Sequence, residues 1–202
     1  MHKVKINTFM EKILFISACV RNDSRTMRLA RHLLSKLEGT IEEVNLVTEK
    51  IPVIDDWNIL QNRDSLLKAG KTGAPELRLA GQFASADTIV IAAPYWDLAF
   101  PAMVKIYMEH VTVTGLTFRY SDEGYPVGMC KARRMIYVMT SGGPAVMNFG
   151  YDYLAALCRN FFGIRETMLF KAENLDIVGN DVEKIMASAF AEIDEAAKNG
   201  TL

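Results

Sequence analysis

The stretch from Asp87 to Ala93, DTIVIAA, constrains the fold more than any other part of the sequence. Five apolar residues in succession leave no face for water, the pattern of a strand covered on both sides in a parallel sheet. Two runs resemble it: KILFISA at 12–18 and RRMIYVMT at 133–140. Weaker strands are expected at 40–47 (TIEEVNLV) and 166–175 (ETMLFKAENL). Helical spacing fills the gaps between them. Met27, Ala30, Leu33, Leu34 and Leu37 recur at intervals of three and four, so a helix is predicted from Ser24 to a stop at Gly39. Further helices are predicted near Trp57–Leu67, at 76–84, at 101–113 entered through Pro101, at 151–163 and at 181–199. Strands alternating with helices define an α/β class with right-handed crossovers. The expected sheet is five-stranded and parallel, in the order 2-1-3-4-5. Residues 1–11 are expected to be an N-terminal extension without a clear role, and 12–202 a single domain.

Ligands of such sheets bind beyond the carboxyl ends of the strands, where the strand order reverses. The three segments that follow the first, third and fourth strands are ACVRNDSRT, APYWDLAFP and TSGGPAVMNFG. All three are rich in small, polar or aromatic residues. Ser24, Arg25 and Thr26 stand where the first helix begins, a place that suits a phosphate. Ser24 is equally a simple helix cap. Tyr95 and Trp96, in the segment Pro94, Tyr95, Trp96, Asp97, Leu98, offer walls for a flat heteroaromatic ring, or else pack into the core. Ser141, Gly142 and Gly143 permit close backbone approach, or form an ordinary turn. Jointly the three loops fit a ligand with a phosphate at one end and a planar ring at the other. FMN fits better than a dinucleotide, because no GxGxxG follows the first strand.

Other chemistries are set aside. A formal charge of −1 gives no electrostatic footprint for nucleic acid or an anionic membrane surface. Three cysteines at unrelated spacings fit a reducing compartment rather than a disulfide framework, and cytoplasmic localisation is expected. ISAC at 16–19 has the outline of a lipoprotein cleavage site, but Glu11 and Lys12 are followed by only four apolar residues, Ile13-Leu14-Phe15-Ile16. AGKTG at 69–73 lacks the first glycine of a phosphate loop. His2, His32 and His110 have no metal-ligand spacing with the cysteines, so no metal site is expected. His110 is read as a packed core histidine, and Cys19 as structural although it lies near the anion site.

The motifs SACVRNDSRT, APYWDLAFPAMVKIYMEHV, GLTFRY and TSGG, in this order, resemble the flavodoxin-like FMN-dependent NAD(P)H oxidoreductases, which include NADH azoreductases and NAD(P)H:quinone reductases. The resemblance runs from about Lys12 to the last strand and implies a three-layer α/β/α sandwich. It implies that Ser24, Arg25 and Thr26 hold the FMN phosphate. Pro94, Tyr95, Trp96, Asp97 and Leu98 would line the isoalloxazine, and Ser141, Gly142 and Gly143 its pyrimidine edge. Phe118 and Tyr120 would belong to a flap near the ring. A homodimer with flavin at its interface, NADH or NADPH as cosubstrate, and a quinone, azo or similar small acceptor complete the implied picture. Hydride would pass from the nicotinamide through flavin N5 to that acceptor in a ping-pong reaction. Tyr120 and Tyr151 are the candidates for protonating product. Asp97 stands where relatives often carry Asn, and Ala18-Cys19 where they often carry Ser-Pro. Two rival readings remain: a flavodoxin-type electron carrier, against which the small net charge speaks, and a flavin-free scaffold using GLTFRY as an interface.

Overall fold

A computed structural model describes residues 10–202, so most of the expected N-terminal extension, residues 1–9, lies outside the described residues. Five parallel strands form one sheet: β1 (Lys12–Ser17), β2 (Thr40–Asn45), β3 (Thr88–Ala92), β6 (Arg134–Thr140) and β7 (Glu166–Ala172). Their order is β2-β1-β3-β6-β7, the expected order once the sheet strands alone are counted. Between β3 and β6 the chain adds an antiparallel hairpin, β4 (Phe118–Tyr120) and β5 (Pro126–Gly128). Strands this short carry no readable alternation, and the hairpin was not expected as β structure.

The apolar runs are explained by coverage of both faces. Ile13 and Phe15, Val90, Ile136 and Val138 point to the layer formed by α1 (Arg25–Leu34) and α7 (Val182–Lys198). Leu14 and Ile16, Ile89 and Ile91, Met135 and Tyr137 point the other way. There they meet α4 (Arg78–Ser85), α5 (Ala102–Val111) and α6 (Phe149–Leu157). Two remaining helices, α2 (Leu46–Glu49) and α3 (Trp57–Lys68), occupy the long connection between β2 and β3. Among the described residues no helix is long and apolar enough to cross a membrane.

Several expected boundaries move for local reasons. β2 stops at Asn45, whose side chain accepts the Val47 N–H at 3.0 Å and starts α2, so Leu46 and Val47 are helical rather than strand. Helix α1 ends at Leu34 instead of reaching Gly39. Gly39, at φ 153°, instead brings its backbone against the Glu11 carbonyl, where a β-carbon would collide. The segment 158–162 continues α6 as a π-helical turn and closes at Gly163 in the left-handed region. β7 stops at Ala172 because the next residues wrap over the loop after β6. The N–H groups of Leu175 and Asp176 donate to the carbonyls of Ser141 and Gly142 at 3.1 and 2.9 Å.

Candidate cofactor crevice

The carboxyl ends of β1, β3 and β6 are neighbours, and their three loops enclose a cavity of about 250 Å³. Ser24, Arg25, Thr26, Pro94, Tyr95, Trp96, Ser141 and Gly142 all line it. The first loop delivers the N-terminus of α1. Ser24 is its N-cap, accepting the Met27 N–H at 3.2 Å through Oγ, so the capping reading holds. The cap uses Ser24 Oγ only as an acceptor, so its hydroxyl hydrogen is left to donate toward Cys19 or into the cavity. The main-chain N–H groups of Arg25 and Thr26 have no acceptor among the described residues and stand at the positive end of the helix dipole.

The side chains of these residues are committed more than the sequence indicates. Thr26 Oγ1 lies 2.6 Å from Thr140 Oγ1 in a buried pair that ties α1 to the end of β6. Thr26 therefore offers its amide to the cavity, while its hydroxyl serves the scaffold. Arg25 Nη1 donates to Asp176 Oδ1 at 2.7 Å and to the Leu175 carbonyl at 3.4 Å. Asp176 and Leu175 belong to the loop after β7, which sequence reasoning did not place in the crevice. The polar run ENLDIVGN at 173–180, also following a strand, was the available signal.

The second loop forms a tight turn. Trp96 and Ala99 exchange main-chain hydrogen bonds of 3.2 and 2.8 Å across Asp97 and Leu98. Asp97 has φ 50° and Leu98 φ 67°, a left-handed pair without glycine. Each such residue is strained by about 1–3 kcal/mol, and strain of this kind gathers at ligand sites. The turn leaves the N–H groups of Asp97 and Leu98 without acceptors among the described residues, and Phe149 N–H donates to the Leu98 carbonyl at 3.0 Å. Tyr95 is fixed by its hydroxyl, which donates to the Met147 carbonyl at 2.7 Å. Trp96 stays 41% exposed and Leu98 45%, so these side chains present apolar surface rather than filling the core.

In the third loop, Ser141 Oγ donates to the Gly143 carbonyl at 2.6 Å, holding the turn closed. Glycine at 142 leaves space that the Asp176 carboxylate occupies, and a β-carbon there would push that side chain aside. Nothing lies within 4 Å of a β-carbon built at Gly143. Cys19, beside the first loop, is not activated by the helix end. Burial raises its thiol pKa, outweighing the hydrogen bond with Ser24 that lowers it.

The two tyrosine candidates do not line this cavity. Tyr151 donates toward Thr167, whose carbonyl and hydroxyl lie at 3.1 and 3.2 Å. Thr167 pairs with Met135 near the amino ends of the strands, five residues before the crevice, so the Tyr151 hydroxyl is a structural group. Tyr120 is exposed on β4. Its hairpin is rooted at the amino ends as well: Lys131 N–H donates to the Ala84 carbonyl, and Gly128 packs on Gly163. The length of a strand, roughly 16–23 Å, separates that root from the crevice. His110 is a half-buried residue of α5 whose Nε2 lies 2.9 Å from the Pro52 carbonyl, remote from the crevice.

A doubly covered parallel sheet in the order 2-1-3-4-5, with a polar crevice and exposed aromatic residues at its switch point, is the flavodoxin-type arrangement. A family model described as a flavodoxin-like fold matches residues 11–197, and the chain belongs to that family. An FMN-dependent NADH:quinone oxidoreductase of Coprothermobacter proteolyticus is 34% identical, over 94% of this chain and 99% of the relative. One from Caldicellulosiruptor saccharolyticus is 33% identical with the same coverage. Among solved structures, a Bacillus anthracis FMN-dependent NADH-azoreductase in complex with FMN superposes with TM-score 0.76 and 26% identity, over 94% of this chain and 99% of that one.

Proposed function

We propose that the chain is an FMN-dependent NAD(P)H oxidoreductase that transfers hydride to a quinone, azo compound or similar small acceptor by a ping-pong scheme. Two sets of unpaired main-chain donors support the reading, one at Arg25 and Thr26 lining the cavity and one at Asp97 and Leu98 in the turn that follows its lining residues Pro94, Tyr95 and Trp96. Amides at Arg25 and Thr26 suit a phosphate, and amides at Asp97 and Leu98 suit the polar edge of a flat ring. The names of the relatives make FMN that ligand and NADH the first cosubstrate to test.

When bound, FMN supplies the capacity to accept hydride from a nicotinamide and deliver it to a second substrate. The protein's residues bind and orient. Ser24 Oγ–H and the two α1 amides take the phosphate. Asp176 holds the Arg25 guanidinium at the rim, so its charge is shared with a carboxylate rather than spent entirely on the ligand. Pro94, Tyr95 and Trp96 give the ring a rigid wall, and Ser141, Gly142 and Gly143 present backbone at its edge.

The chain acts as a homodimer in this reading. The cavity of about 250 Å³ is smaller than the ~300–1,000 Å³ of ordinary small-molecule sites, so the crevice holds only part of such a ligand. The exposed side chains of Trp96, Leu98, Met147 and Phe149 around it call for a cover. Tyr120, Tyr125 and Met129 on the hairpin side form a second exposed apolar group, too far away to serve their own crevice. In this dimer Tyr120 would serve the crevice of the second copy, where it is the candidate for protonating product.

Initial rates of NADH oxidation with menadione at several fixed concentrations test the scheme. Parallel double-reciprocal lines are expected. Intersecting lines would replace the ping-pong scheme with a ternary complex. Absence of any menadione-dependent oxidation would favour the electron-carrier reading.

A further inference from the structure

A cavity larger than the crevice lies elsewhere in the fold. A space of about 510 Å³ lies among α2, α3, α4 and α5 and shares no lining residue with the crevice. Its walls are largely apolar, with Ile51, Pro52, Ile59 and Leu79 among them. Arg63 of α3 borders it and is 93% buried, being 7% exposed.

The surroundings of that guanidinium are incomplete. Nη2 makes one long contact, 3.5 Å to the Thr112 carbonyl, and Nη1 has no hydrogen-bond partner. No carboxylate among the described residues makes an ion pair with Arg63, and Asp64, next in the chain, acts on it only at longer range. The other charges around the cavity are engaged. Glu49 pairs with Arg78 at 2.6 Å, and Glu76 accepts from the Asn62 amide at 3.5 Å. His110 Nε2 faces the Pro52 carbonyl, which can only accept, so that nitrogen carries the proton and is already used. Burial draws the Arg63 pKa below its usual value, yet a guanidinium remains charged at neutral pH. A buried cation without a counter-charge is rare in folded proteins and calls for a partner.

We propose that this cavity is a second binding site, for a small organic monocarboxylate with an apolar body, its carboxylate held by Arg63. Arg63 lacks a direct ion-pair partner and so has room for one carboxylate, while Glu49 and Glu76 at the border disfavour a phosphate dianion. The planar guanidinium is suited to a carboxylate, and its single contact with Thr112 leaves most of its donors unused. A volume of about 510 Å³ is within the ordinary range for such ligands. The site is independent of the flavin reading.

The test is calorimetric titration of the full chain, saturated with FMN, using 2-naphthoate and its neutral analogue 2-naphthylmethanol. One naphthoate per chain is expected, bound at least about tenfold more tightly than the alcohol, since only the carboxylate makes charge-assisted bonds. Arg63→Met abolishes the preference while leaving FMN affinity unchanged. Ile59→Trp, which fills the cavity from another wall, blocks both probes and keeps the test valid should Arg63→Met fold poorly. The proposal is overturned by equal affinity for the two probes, by no naphthoate binding, or by naphthoate binding that Ile59→Trp leaves intact and menadione displaces. Failure to take up FMN would refute the flavin reading alone, and the same titration on the bare chain would still test Arg63.

Discussion

Replacing Thr26 with Val keeps the side-chain shape, the helix and the main-chain N–H, and removes one oxygen. That oxygen lies 2.6 Å from Thr140 Oγ1 at a site where Thr26 is 1% exposed and Thr140 7%. Little solvent reaches the pair, and the surviving Thr140 hydroxyl faces a methyl group. The expected loss is about 1–3 kcal/mol, the desolvation penalty of an orphaned polar group rather than the smaller net value of a hydrogen bond. For a domain of this size that lowers Tm by about 2–4 °C per kcal/mol. Thr140→Val should cost a similar amount. The double variant should lose less than the sum, because two methyl groups facing each other leave no hydroxyl unsatisfied. Urea denaturation of the four proteins measures the cycle. FMN affinity of Thr26→Val should fall less than threefold, about 0.65 kcal/mol, if the amide rather than the hydroxyl faces the phosphate. Strictly additive single losses would refute the pairing, and a hundredfold loss of FMN affinity would return the Thr26 hydroxyl to the ligand.

Gly128→Ala places a β-carbon against the backbone of Phe162 and Gly163, which cannot turn aside as a side chain would. Destabilisation of about 1–3 kcal/mol is expected, with menadione turnover falling further than FMN affinity because the displaced hairpin carries Tyr120. Asp97→Asn removes an exposed negative charge from the turn that faces the proposed ring, so the midpoint potential of bound FMN should rise, as redox titration would show. Acid sensitivity has an identifiable source at the other end of the sheet. The Lys131 ammonium at 2.8 Å and the Lys12 N–H at 2.9 Å hold the Asp87 carboxyl below its ordinary value. A depressed carboxylate contributes stability above its unfolded pKa of about 3.9, and that contribution is lost as pH falls through the folded value. Melts between pH 3 and pH 6, about the range where an unfolded Asp titrates, should therefore be flatter at the acid end in Asp87→Asn.

What was legible in the sequence follows from which forces act locally. Strands β1, β3 and β6 are covered on both faces, so their apolar runs announce themselves, and helix α3 was placed within a residue of its observed end. The crevice loops were legible because the sheet order brings every segment after a central strand to one place. Interactions that tie distant segments left no local trace. Thr26 and Thr140 are 114 residues apart and Arg25 and Asp176 are 151 apart, so neither the spent Thr26 hydroxyl nor the shared Arg25 charge could be read from the loop itself. Nothing in the sequence around Tyr151 says where its hydroxyl points. The register of β7, which puts Thr167 under its hydroxyl, decides it. Arg63 sits in an ordinary amphipathic stretch, and its burial depends on the packing of α3 over Thr112.

The central claim is that free backbone donors at the ends of β1 and β3 form an FMN site accessible to a nicotinamide. Visible absorbance of the purified protein, recorded after FMN addition and again after anaerobic NADH, tests it most directly. A bound-flavin spectrum that bleaches on NADH, and recovers on adding menadione, is the predicted result. A protein that leaves FMN free in solution, or binds it without bleaching, would contradict the account.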